Sequence, residues 1–124
     1  MKSAYVEYKD FKDLETSFSF SFRSQNVLFY IWRSVRGLKR NTIFQGDYVG
    51  AYVANPARGK RGLFGEIHLV KREIGAGYVA HEIQHFLYDW LLEQKVTKNT
   101  NEKLALLAGH ITRDFWVQYY KEHK

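Results

Sequence analysis

Residues Ile74–Gln94 read IGAGYVAHEIQHFLYDWLLEQ, and the periodicity of this stretch decides the architecture. Val79, Ile83, Phe86, Leu87, Trp90 and Leu91 recur at three- and four-residue intervals, the mark of one amphipathic helix with a core-facing stripe. Gly75 and Gly77 weaken its first turn, so the helix is expected to start there or a few residues later. Inside it lies His81-Glu82-Ile83-Gln84-His85, an HExxH sequence. Histidines four positions apart share a helical face about 6 Å apart along the axis, a spacing that lets both imidazoles turn towards a single zinc ion. Glu82 is rotated by roughly 100° and reaches a water at that ion without being a ligand.

Upstream of this helix, Leu63–Val70 (LFGEIHLV) and Asp47–Ala54 (DYVGAYVA) read as strands. Asn55–Gly62, with the only proline and two glycines, reads as the turn of a hairpin with a basic tip at Arg58, Lys60 and Arg61. Ser17–Arg23 alternates strictly and places Phe18, Phe20 and Phe22 on one face, as a half-buried strand does. From Gln25 to Lys39 the apolar positions Val27, Leu28, Tyr30, Ile31, Trp32, Val35 and Leu38 predict a helix ending near Gly37 and Arg40-Asn41. Lys95–Thr100 is a polar connection, and Asn101–Lys121 a last helix. The expected order is strand, helix, hairpin, helix, helix. This is an α+β fold over residues 1–124 as one domain, with a small antiparallel or mixed sheet packed on the HExxH helix and the C-terminal helix. Trp32, Trp90 and Trp116 are core candidates rather than stacking platforms.

Aromatic residues make up 17% of the chain, which argues for a packed core rather than disorder. No apolar stretch approaches the roughly 20 residues of a membrane span, and Met1–Asp10 lacks the apolar run of a secretory signal. A cytoplasmic setting is therefore expected. The chain has no cysteine, which excludes disulfides and thiolate ligands. Its net charge of +6 gathers in Arg33/Arg36/Lys39/Arg40, Arg58/Lys60/Arg61 and Lys71/Arg72. A solvated basic face explains these clusters most simply, and a nucleic-acid partner stays open.

Catalytic zinc takes three protein ligands and keeps a position for water. Asp89 continues the face of His81 and His85 but lies about 12 Å along the axis from His81, too far to share one ion. It is read as a residue supporting the site or simply as surface. His68, with Glu66, lies on the preceding strand. The last helix offers Glu102 and His110, which sit about 12 Å apart along it and cannot both bind one ion. Glu102 is the better choice, because the short connection folds its helix back beside the first. The competing reading of Asn99-Thr100-Asn101-Glu102 is a capping box. His123 is read as a frayed end.

HExxH followed by Asn101-Glu102-x-x-Ala105 resembles the gluzincin zinc metallopeptidases. The run from Gly65-Glu66-Ile67-His68-Leu69 through Ala105 is similar to small HExxH proteins of bacteria and phages, which are reduced to a strand, an active-site helix and a glutamate helix. The resemblance covers about Leu63–Trp116 and implies a minimal zincin-like fold. It also implies Zn2+ held by His81, His85 and Glu102, Glu82 as general base, and a peptide or protein substrate pairing with the Leu63–Val70 strand. Leu106 stands where gluzincins commonly carry an acidic residue, and the glycine of the metzincin extension is absent. SprT-like proteases, with a histidine as third ligand, are a weaker match through His110. Tyr78, His68 and His110 are the candidates for stabilising an oxyanion. The expectation is a zinc metallopeptidase. The alternative is a catalytically inactive zinc-binding module, phage-derived, that binds a protein or nucleic acid.

Overall fold

The alternating phenylalanines do line a strand. In the computed structural model, which describes residues 10–22, 25–42, 50–55 and 63–122, β1 spans Leu14–Phe22. Phe20 is buried, with Phe18 and Phe22 packed at the margin of the core. The expected basic tip at 56–62, residues 47–49 of the expected strand, and His123 lie outside the described residues.

The segment expected to be a helix from Gln25 to Lys39 is mostly strand. β2 runs Gln25–Trp32, and only Val35–Arg40 is helical, as α1, capped by the Ser34 side chain, which accepts from the Gly37 N–H. The reason lies in the sheet order. β2 is a central strand, and a strand buried on both faces reads as a continuous apolar run that imitates a helical stripe. Val27, Phe29 and Ile31 point to one face and are fully buried, while Trp32 is fully buried on the other. Branched and aromatic residues dominate the stretch, and these favour the extended chain.

Among the described residues the remaining strands are β3, Gly50–Ala54, and β4, Leu63–Val70. The four form one mixed sheet in the order β1-β2-β4-β3. β1 pairs antiparallel with β2, β2 parallel with β4, and β3 antiparallel with β4. The parallel pair is possible because α1 and β3 intervene between β2 and β4.

Two helices cover one face of this sheet. α2 spans Ala76–Leu92 and α3 spans Thr100–Glu122. α2 buries Val79, Ile83, Phe86, Leu87 and Trp90, five of the six residues expected in its stripe, and Leu91 packs against the same cluster. α3 contributes Leu107, Ile111 and Phe115 to the same core cluster as Val27, Phe29 and Ile67. Phe115 lies 5.1 Å from Phe29 and 5.6 Å from Phe18, ring centre to ring centre, and burial of such a side chain stabilises the fold by roughly 1.5–3 kcal/mol. α2 packs against β3 and β4, α3 against β1. The opposite face holds a smaller cluster of Trp32, Leu38 and Val70, closed by α1. The architecture is α+β, and no described helix is long and apolar enough to cross a membrane.

Candidate metal centre

Alternation along α2 sets the site. The stripe Val79/Ile83/Phe86 is pulled into the core, which leaves His81 and His85 exposed on the flank that looks towards β3. Their rings meet edge to face, 4.8 Å between centres, with Nε2 of His85 3.2 Å from Nε2 of His81. Two nitrogens bound tetrahedrally to one ion at about 2.05 Å stand about 3.3 Å apart, so the pair already has the separation that a shared ion requires. Among the described residues, His81, Glu82 and His85 form the one group of three potential ligands, with ligand atoms all within 4.8 Å of one another. This group could hold a metal ion.

Glu82 is the buried member, at 5% exposure. Its carboxyl faces β3, where burial pushes its pKa above the usual carboxylate value. The charge of His81 and a hydrogen bond from the backbone N–H of Tyr52 act in the opposite direction and are the smaller effects. A buried carboxylate beside two exposed imidazoles is costly to the fold, and such groups gather where chemistry is done.

The site opens into a cleft of about 490 Å3 between α2 and β3. Gly50 and Tyr52 form its β3 wall opposite His81 and Glu82, and Tyr88, Asp89 and Leu92 extend it beyond His85. Asp89, excluded as a co-ligand by distance, accepts a hydrogen bond from the Tyr52 hydroxyl at 2.5 Å. The Tyr52 ring passes over Gly65, where an added Cβ would stand 2.9 Å from the Tyr52 hydroxyl and 2.4 Å from the Val53 carbonyl oxygen. Gly65 therefore lets β3 lie close to β4 with Tyr52 turned along the cleft.

Glu102, the expected third ligand, is not brought into this group. It sits in the first turn of α3, exposed, and lines a separate groove with Ala105, Leu106, Gly109, His110 and Arg113. The rotation of α3 explains this. Leu107, five residues on, is about 140° away around the helix, and Ile111 is about 180° away. Burying those two residues turns Glu102 to solvent. α3 also lies over β1, at the edge of the sheet away from β3. The helix starts as a cap at Asn99 would have it, with the Lys103 N–H donating to the Asn99 carbonyl at 3.1 Å.

The three expected oxyanion partners also lie elsewhere. His68 is fully buried on the face of the sheet away from α2. The Trp32 indole N–H donates to its Nδ1 at 2.9 Å, and its Nε2 meets Glu66 Oε1 at 2.9 Å. A lone pair on Nδ1 places the ring proton on Nε2, donated to Glu66. His110 stacks on Phe22, 4.4 Å between ring centres. Tyr78 stands one turn before Glu82, about half exposed, and does not line the cleft. Among the described residues, the tyrosines that do are Tyr52 and Tyr88.

The expected substrate strand, Leu63–Val70, is not an edge of the sheet. β4 is hydrogen-bonded on both sides, to β2 and to β3, so its backbone has no free edge for a peptide. The strand beside the cleft is β3. Nothing local to Asp47–Ala54 marks it as the edge; the sheet order does. Compared with family models, curated proteins and solved structures, the chain shows no match.

Proposed function

We propose that this protein is a zinc-dependent peptidase of zincin type, with His81 and His85 holding the metal and Glu82 as general base. The observation that carries this is the pair of imidazole nitrogens 3.2 Å apart with a buried carboxylate in the same group. Two exposed imidazoles gain little from a mutual hydrogen bond that water can replace; a shared cation gives that arrangement a purpose. A bound zinc ion supplies Lewis acidity, polarising a carbonyl and acidifying water.

The chain's own residues supply the rest. Glu82 takes the proton of the attacking water on a carboxylate oxygen and passes it to the leaving amine as the C–N bond breaks. A pKa raised by burial makes Glu82 a stronger base than an ordinary carboxylate, which favours the first half of that transfer. The substrate is an extended peptide lying along β3. The N–H of Asn55 donates to the Phe64 carbonyl at 2.8 Å, and in an antiparallel ladder alternate residues pair inward. Gly50, Ala54 and the Tyr52 carbonyl therefore turn outward, into the cleft these residues line, while the Tyr52 N–H is taken by Glu82.

Glu82→Gln tests the assignment. It should keep the metal at wild-type stoichiometry and lower peptide cleavage by at least about 100-fold. Loss of the metal would make Glu82 a ligand instead of a base, and a wild type that cleaves no member of a peptide library would end the peptidase reading.

A further inference from the structure

We infer that edge strand β3 is the positioning element for Glu82: Gly50 leaves open the volume that its carboxylate fills, and the Tyr52 N–H holds it there. The inference rests on the proposed role of Glu82 as base, and it names two residues that the HExxH motif does not contain.

The first observation is steric. A Cβ built on Gly50 would stand 2.9 Å from Glu82 Oε2, 3.2 Å from its Cγ and 3.4 Å from its Cδ. All three nearest atoms belong to this one side chain. The backbone of Gly50 lies outside the left-handed region, so no conformational demand calls for glycine here. A strand position would ordinarily favour a branched residue. What excludes a side chain is the carboxylate.

The second observation is the backbone donor. The Tyr52 N–H points out of the sheet, unlike the amides of Ala51 and Val53, which pair with β4. An outward amide on an edge strand ordinarily meets water; this one meets Glu82. Tyr52 is also tied at its far end, through its hydroxyl on Asp89 and its ring against Phe86, 6.2 Å between centres. The donor therefore comes from a residue anchored at both ends to α2, and a rigid donor fixes a flexible carboxylate better than solvent does.

Gly50→Ala separates positioning from folding, because the atoms it displaces are the far end of a flexible side chain. Amide exchange read residue by residue in the metal-free protein is the primary test, with Glu82→Ala as a second variant. Both substitutions should speed exchange at Tyr52 by about 10-fold or more, leaving Ala51 and Val53 unchanged. In the zinc-loaded protein, Gly50→Ala should lower kcat by about 10- to 100-fold with KM and metal content retained. Added to Glu82→Gln, it should have no further effect on kcat. Unchanged exchange at Tyr52 in both variants overturns the inference, as does a Gly50→Ala enzyme with wild-type kcat. A wild type without peptidase activity defeats the proposed function alone, because the exchange result still decides whether β3 holds Glu82.

Discussion

His68 and the His81/His85 pair set the same residue type in opposite situations on the two faces of one sheet. His68 is fully buried, its two ring nitrogens engaged by Trp32 and Glu66, and Tyr30 stacked at 5.0 Å. His81 and His85 are exposed and turned towards each other. One histidine is spent on holding β2 and β4 together; the other two contribute little to packing and are free to bind. The lesson is that histidine near a motif carries no role by itself. Burial and the partners of Nδ1 and Nε2 assign it.

Substitutions should break the contrast along that line. His81→Ala and His85→Ala should each weaken zinc binding by at least about 100-fold, and calorimetric titration measures it. The metal-free stability of the same variants should stay within about 0.5 kcal/mol of wild type, as for other exposed positions. His68→Ala should do the reverse, costing about 2–4 kcal/mol in denaturant unfolding through a cavity and lost hydrogen bonds while leaving zinc affinity in place.

A smaller effect concerns Glu82 and has a defined sign. Burial raises its folded pKa above the ordinary value of 4.5, so the stability that its neutral form contributes is present below that value and lost as pH rises through the folded pKa. Metal-free Glu82→Gln, which cannot ionise, should therefore be more stable than wild type at pH 7. The difference should shrink to nothing as the pH falls below the ordinary carboxylate range, as thermal melts across pH will show. The smallest effect is expected at Glu102. Pointing away from Leu107 and Ile111, Glu102→Ala should change zinc affinity by less than about threefold and stability by less than about 0.5 kcal/mol. A fall in affinity matching that of the histidine variants would mean that α3 swings towards the site when metal binds.

The parts legible from sequence were those with one periodicity and one buried face. α2, its apolar stripe and the convergence of His81 and His85 follow from 3.6-residue spacing, and β1 from the alternation of Phe18, Phe20 and Phe22. β2 reads as a helix in the sequence because Val27, Phe29 and Ile31 are buried on one side and Trp32 on the other, and two apolar faces erase the strand signature. Glu102 departs from expectation for a different reason. Its distance along the chain suited a ligand, but the rotational phase relative to Leu107, Ile111 and Phe115 did not, and that phase could have been counted from the sequence. Gly50 and Tyr52 left no such trace. Their importance comes from β3 lying at the edge of the sheet beside α2, a fact of strand order to which no local pattern points.

The central claim, that His81 and His85 are a metal-binding pair, is tested most directly by titrating the metal-free protein with zinc. The wild type should take up one ion per chain and gain about 2.7 kcal/mol of stability when free zinc is 100 times the dissociation constant. The His81→Ala/His85→Ala protein should show neither uptake nor stabilisation. Absence of binding in the wild type, or binding of equal strength in the double variant, would contradict the account.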